Sequence, residues 1–201
     1  MAILQYGEKE LNYLSEKDET MAKAIAEIGF IERDVNPNLF QALTGSILSQ
    51  QISGKAADTI WNRLLELAGD MNAQRILDLS DEDLRKCGIS GRKIEYIKGV
   101  ARAYSKGELK QEDFEKMDDD DIIQRLVSIK GVGKWTAEML LIFSMGRKNI
   151  LSFGDLGIKK GIARLYGDMD VNEAKLKMHK EVYSPYATIA SFYLWEVAGR
   201  K

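Results

Sequence analysis

Cysteine and histidine each occur once in this 201-residue chain, as Cys87 and His179. One cysteine excludes a disulfide within the chain, a four-cysteine zinc site and an iron–sulfur cluster held by the chain's own thiolates. One histidine excludes histidine-rich metal sites and works against a Ser-His-Asp triad, so acid–base chemistry falls to Asp and Lys. Only two prolines are present, Pro37 and Pro185, and no proline-rich linker separates one part of the chain from another. No apolar run approaches the roughly 18 residues needed to span a bilayer, and MAILQYGEKELNYLSEKDE lacks the apolar core of a signal peptide. The expected location is cytoplasmic and nucleoid-associated in a prokaryote, or nuclear in a eukaryote. Period-two alternation is missing too, which argues against a sheet.

What is present reads with a helical period almost throughout. Tyr13 to Ile28 carries Leu14, Met21, Ile25 and Ile28. After Pro37, LFQALTGSILSQQ lines up Leu39, Leu43, Ile47 and Gln50. Ser53 is placed to cap a helix that carries Ala57, Ile60, Leu64 and Leu67 and stops at Gly69. Further helices are expected over 73–77, 81–87, 93–106, 113–116, 119–129, 134–145, 158–166, 171–183 and 186–198. The expected fold is all-α, a globular array of about ten short helices forming one domain over residues 1–201.

The formal net charge is −2, which read globally disfavours nucleic acid, but binding depends on local charge. Between Ser128 and Arg164, seven basic residues oppose Glu138 and Asp155, a formal +5. Between Ser90 and Lys106, five basic residues oppose Glu95, a formal +4. Acidic residues gather elsewhere, in EKELNYLSEKDE and MDDDD. A solvated charged face and a nucleic-acid footprint both fit this polarity.

The stretch LVSIKGVGKWTAEMLLIF places Gly131-Val132-Gly133 immediately before a largely apolar helix. Amide groups at a turn that opens a helix make an anion site, and bare glycines let a phosphate approach the backbone. Lys130 and Lys134 flank the turn and add positive charge. A tight helix–helix corner explains the glycines equally well at this point. Twenty residues beyond Trp135 stands Asp155, in FGDLGIKKG, just before another helix. Aspartate there is an N-cap, and a carboxylate so held is also suited to stabilising positive charge.

Together these segments resemble the helix–hairpin–helix DNA glycosylase superfamily, in the branch of 3-methyladenine DNA glycosylase II. FQALTGSILSQQISGKAADTIWNRL is similar to that family's SQQIS-bearing segment, and YATIASFYLWEVAG to its closing helix. The resemblance runs from Phe40 to Gly199. It implies two helical lobes, here 37–130 and 1–36 with 131–201, with the active-site cleft between them. It also implies a hairpin that grips a DNA phosphate through Gly131, Val132, Gly133, Lys130 and Lys134. In that family the hairpin carbonyls often hold a monovalent cation, Na or K; the matching carbonyls are Ile129 and Val132, and no cofactor is required.

By the same resemblance Asp155 is catalytic, Trp135 and Trp195 are base-pocket aromatics, and Gln51 is the wedge that fills the place of a flipped base. Structural tryptophans and backbone-satisfying glutamines are the plain alternatives. Arg92 and Lys93, at a second basic joint, are expected on the DNA backbone. Strand-nicking relatives carry a nucleophilic lysine where this chain has Trp135. The implied activity is therefore monofunctional: hydrolysis of the N-glycosidic bond of 3-methyladenine or 7-methylguanine in double-stranded DNA, by a monomer, without lyase chemistry or membrane attachment. The competing readings are a non-catalytic DNA-binding helix–hairpin–helix protein and a same-fold glycosylase for oxidised or deaminated bases.

Overall fold

The structure is a computed structural model that describes residues 2–200, with Gln111 described for its backbone alone. Its helices are α1 Glu8–Lys17, α2 Glu19–Ile28, α3 Leu39–Ser49, α4 Gly54–Ala68, α5 Ala73–Asp78, α6 Asp81–Lys86 and α7 Gly91–Ser105. They continue with α8 Gln111–Phe114, α9 Asp119–Val127, α10 Lys134–Phe143, α11 Leu156–Tyr166, α12 Glu173–Tyr183 and α13 Ala187–Gly199. A two-residue antiparallel pair, β1 Ala2–Ile3 with β2 Asp34–Val35, is the sheet among the described residues. The all-α expectation stands. No helix among the described residues is long and apolar enough to cross a membrane.

Local chemistry sets the helix starts. Asn38, Ser53, Asn72, Ser80, Ser90, Asp118, Asp155 and Asn172 each accept a hydrogen bond from a first-turn amide of the helix that follows. The same chemistry overrides one expectation. The span 13–28 is two helices, because Asp18 leaves the helical region at φ −147° and accepts the Met21 amide at 2.8 Å. Its other oxygen accepts from the Tyr166 hydroxyl at 2.7 Å.

The chain divides into two compact units, Met1–Val35 with Leu141–Lys201, and Asn36–Leu140. The division falls inside α10, ten residues later than the expected 130/131, so the glycine hairpin belongs to the central unit. Contacts within that unit account for this: Gly131 lies against Tyr96 of α7, and its carbonyl accepts from Gln50 at 3.0 Å. In the central unit α7 is the hub, packed by α3, α5 and α6 through Ile94, Ile97, Val100 and Ala101.

In the terminal unit the hub is α13, buried from Ala187 through Leu194. A helix apolar on all sides must be surrounded. Its Thr188 hydroxyl donates to the Arg147 carbonyl at 2.7 Å and accepts the Ile150 amide at 2.9 Å, which fixes the loop leading to Asp155. Helix α11 approaches α13 so closely that a methyl group on Gly161 would fall on the Leu194 carbonyl.

Two glycines test this packing in opposite directions. Gly161→Ala drives a methyl into main chain and should destabilise the protein by about 1–3 kcal/mol or more. Gly99→Ala, inside α7 with open space around it, should stabilise by roughly 0.5–1 kcal/mol through helix propensity. Urea unfolding of the two variants beside the parent checks both signs.

Candidate active site

Asp155 is the N-cap of α11 and is only 8% exposed. Its Oδ1 accepts the Ile158 amide at 2.8 Å and the Trp195 indole N–H at 3.0 Å. Two donors and the positive end of the α11 dipole thus converge on one carboxylate. Gly157 makes the indole's approach feasible: a Cβ there would lie 2.8 Å from Trp195 Cδ1 and 3.0 Å from Asp155 Oδ1. The Trp195 ring is half-buried and stacks on Phe143 and Phe192, with centroids 5.8 and 6.1 Å away. Trp195, expected as a pocket aromatic, is seen here as a hydrogen-bond donor to the carboxylate. Leu156, the next residue after Asp155, is 81% exposed.

The other expected site residues lie in the central unit. Gly131 has φ +94°, and a side chain there would collide with the Tyr96 ring, so its glycine is required by the protein's own fold. Gly133 differs: it is exposed, and a Cβ would meet nothing within 4 Å. No internal contact demands that glycine, and it leaves the backbone at the start of α10 bare. Val132 is buried, and its amide donates to the Ile129 carbonyl at 3.0 Å, closing the turn. Trp135 is 47% exposed in the first turn of α10. Lys134, beside it, is also exposed.

For a cation, the hairpin offers neutral main-chain oxygens. The Ile129 carbonyl uses one lone pair on Val132 and keeps a second, and the Gly131 carbonyl is engaged by Gln50. Neutral oxygen donors without a carboxylate fit a monovalent ion better than a divalent one. Among the described residues no cluster of His, Cys, Asp and Glu is arranged to hold a metal.

Several basic residues already have partners. Lys130 pairs with Glu95 at 2.6 Å, and that carboxylate raises the pKa of the exposed ammonium. Lys98 pairs with Asp81 at 2.6 Å, Lys148 with Glu10 at 2.8 Å, and Arg164 donates to carbonyls at the end of α13. Lys93, expected on the DNA backbone, is held within the protein's own fold. Its ammonium donates to the Leu48 and Gln50 carbonyls at 2.7 and 2.8 Å. Burial, and then the charge of Arg92, lower its pKa from the ordinary lysine value. Arg92 is exposed and makes a long 3.4 Å contact with Gln51 Oε1. Gln51 is exposed at the α3–α4 turn and has φ +59°.

Sequence reasoning missed Gly157 and Gly161, Tyr96 beneath the hairpin, and the hydrogen bond from Trp195 to Asp155. The signal for the first pair was legible as Gly-x-x-x-Gly in DLGIKKGIARL, a spacing that puts two bare positions on one helix face. The others join residues far apart in the chain and had no local signature.

Residues 44–185 match the family described as "HhH-GPD superfamily base excision DNA repair protein". DNA-3-methyladenine glycosylase 1 of Schizosaccharomyces pombe is 34% identical over 164 residues, covering 79% of this chain and 72% of that protein. The crystal structure of a DNA-3-methyladenine glycosidase from Bacillus halodurans superposes with a TM-score of 0.90 at 37% identity, over 99% of this chain and 93% of that one. The S. pombe enzyme Mag1, solved in complex with abasic DNA, superposes with a TM-score of 0.82 at 32% identity, over 94% and 96% of the two chains. With the match spanning most of the chain, and with a hairpin followed by an aspartate that caps the next helix, the chain belongs to the HhH-GPD superfamily of base excision DNA repair proteins.

Proposed function

We propose that this chain is a monofunctional DNA glycosylase of base excision repair, acting on alkylated purines such as 3-methyladenine and 7-methylguanine. The observation that carries the reading is the Asp155 carboxylate, fixed by the Ile158 amide and the Trp195 indole at the N-terminus of α11. Relatives with DNA-3-methyladenine glycosylase activity in their names support the substrate class.

Alkylation at N3 or N7 leaves the purine cationic, so it departs as a neutral base once the C1′–N bond breaks. Positive charge then develops on the deoxyribose. A preorganised anion beside that sugar stabilises the transition state more than the ground state. Water adds to C1′ and loses a proton, for which Asp155 is the acceptor, leaving an abasic sugar. The base reaches such a site only after leaving the duplex, and exposed Trp135 offers an aromatic face to a cationic ring. Gly133 and Lys134 at the start of α10 supply amides and charge for a backbone phosphate. A Na or K ion on the Ile129 and Val132 carbonyls would add positive charge at the same place.

Asp155→Asn keeps an acceptor oxygen for the cap but removes the charge. Single-turnover release of 3-methyladenine should fall by a factor of about 10²–10³ or more, with affinity for abasic-site DNA largely retained. Unchanged release would refute the catalytic role. A release assay across 3-methyladenine, 7-methylguanine, ethenoadenine, hypoxanthine and 8-oxoguanine DNA fixes the lesion preference, and preference for 8-oxoguanine would overturn the alkylpurine reading.

Trp135 offers no amine for a Schiff base, and Lys134 points about 100° away around the helix. Borohydride treatment during turnover should therefore trap no covalent protein–DNA adduct. An adduct on denaturing gels would show lyase chemistry and contradict this assignment.

A further inference from the structure

Backbone strain is concentrated at the α3–α4 turn. Gln51, at φ +59°, is the one non-glycine residue with positive φ among the described residues. An L side chain is disfavoured there, and such a conformation persists only where its surroundings over-determine it. The main-chain bonds of the turn are weak, 3.4 Å from the Gln50 amide to Ile47 and 3.5 Å from the Ile52 amide to Ser49. The short bonds come from side chains. Lys93 holds the Leu48 and Gln50 carbonyls on either side of Ser49, and Gln50 Nε2 donates to the Gly131 carbonyl.

The position of Lys93 is electrostatically odd for a phosphate ligand. It lies in the first turn of α7, at the positive end of that helix. It lies, however, at the C-terminal end of α3, whose last carbonyls are negative and lack helical partners. The ammonium therefore serves α3. Arg92, one residue earlier and exposed, remains suited to the DNA backbone.

The geometry points to Lys93 as a positioning residue: by tying the Leu48 and Gln50 carbonyls to α7, it holds Gln51 in the left-handed conformation from which its side chain enters the duplex. The inference rests on Gln51 being the wedge of a base-flipping glycosylase. Gln50 extends the same brace to the hairpin: its side-chain amide donates to the Gly131 carbonyl, so the α3–α4 turn and the hairpin are joined within the central unit by one hydrogen bond.

Salt dependence separates positioning from phosphate contact. Binding to duplex DNA with a tetrahydrofuran abasic site would be measured against salt for Lys93→Met, Lys93→Arg and Lys134→Ala. Lys134→Ala should lower the slope of log K against log salt by about one, while Lys93→Met leaves it unchanged. Flipping, read by 2-aminopurine next to the lesion, and single-turnover base release should both fall about tenfold in Lys93→Met. Lys93→Arg should show the same loss, although it keeps the full charge that a phosphate contact needs. Adding Gln51→Asn to Lys93→Met should restore part of the flipping signal, because asparagine tolerates positive φ better than glutamine.

A slope drop of about one in Lys93→Met, wild-type flipping in it, or parental behaviour of Lys93→Arg overturns the inference. Thermal melting of each variant identifies any loss that is simple unfolding, and Lys93→Arg then carries the test. Gln51→Ala tests the underlying reading separately: unaltered flipping and release there would sink the wedge itself, whatever Lys93 does.

Discussion

The carboxylate of Asp155 is where it is because two helices of the terminal unit touch backbone to backbone. Gly161 lets α11 press onto the Leu194 carbonyl of α13, and Gly157, one turn earlier, leaves room for the Trp195 ring. At that distance the indole N–H reaches Asp155. A slightly wider spacing would leave a capping aspartate without its second donor. Preorganisation of the anion is thus a packing property, set by two missing side chains. Dispersion and burial along α13 hold the spacing, since nearly every residue of that helix's first two turns is buried.

The helix-cap role of Asp155 and the catalytic role proposed for it reinforce each other. As an N-cap, Asp155 stabilises α11 by about 1 kcal/mol in the manner of such caps. Its carboxylate is oriented by the Ile158 amide and the Trp195 indole, which is the preorganisation that the proposed chemistry at the sugar would draw on. The helix lends its dipole to both roles. Structure and chemistry place the same demand on this position, which is why an aspartate in front of a helix was informative in the sequence at all.

Legibility followed from range. The starts of α4 and α11 were marked by Ser53 and Asp155 because such a cap acts on an amide three residues ahead, whereas α7 and α12 begin at Gly91 and Glu173 rather than the expected 93 and 171. The break at Asp18 was missed because Leu14, Met21, Ile25 and Ile28 keep an apolar stripe running through it, and the cap chemistry overrode that stripe. Asp155 was readable as a capping carboxylate, but its indole partner lies 40 residues later and left no local mark. The partners of Lys93 were hidden for the same reason. A lysine in a basic cluster announces its charge, whereas the carbonyls it binds, 45 and 43 residues earlier, are invisible in composition. The two hairpin glycines differ: Gly131 is explained by Tyr96, which no spacing rule could supply, whereas no internal contact accounts for Gly133.

An acidic chain that grips DNA has to solve an electrostatic conflict, and the ion pairs show how. Lys130 is held by Glu95 at the surface, with both side chains more than half exposed. A solvent-exposed pair of this kind has little net stability, typically below about 1 kcal/mol. A DNA phosphate, with its high local charge density, competes for that ammonium at small expense in fold stability. Lys98 with Asp81 is less exposed on its lysine side and correspondingly less easily exchanged. The formal +5 and +4 of the two basic stretches therefore overstate the charge facing DNA in the free protein. On the proposed function, the cations open to a phosphate are those whose partners are weak enough to leave, Lys130 among them, and those such as Arg92 and Lys134 that stand exposed near a helix start.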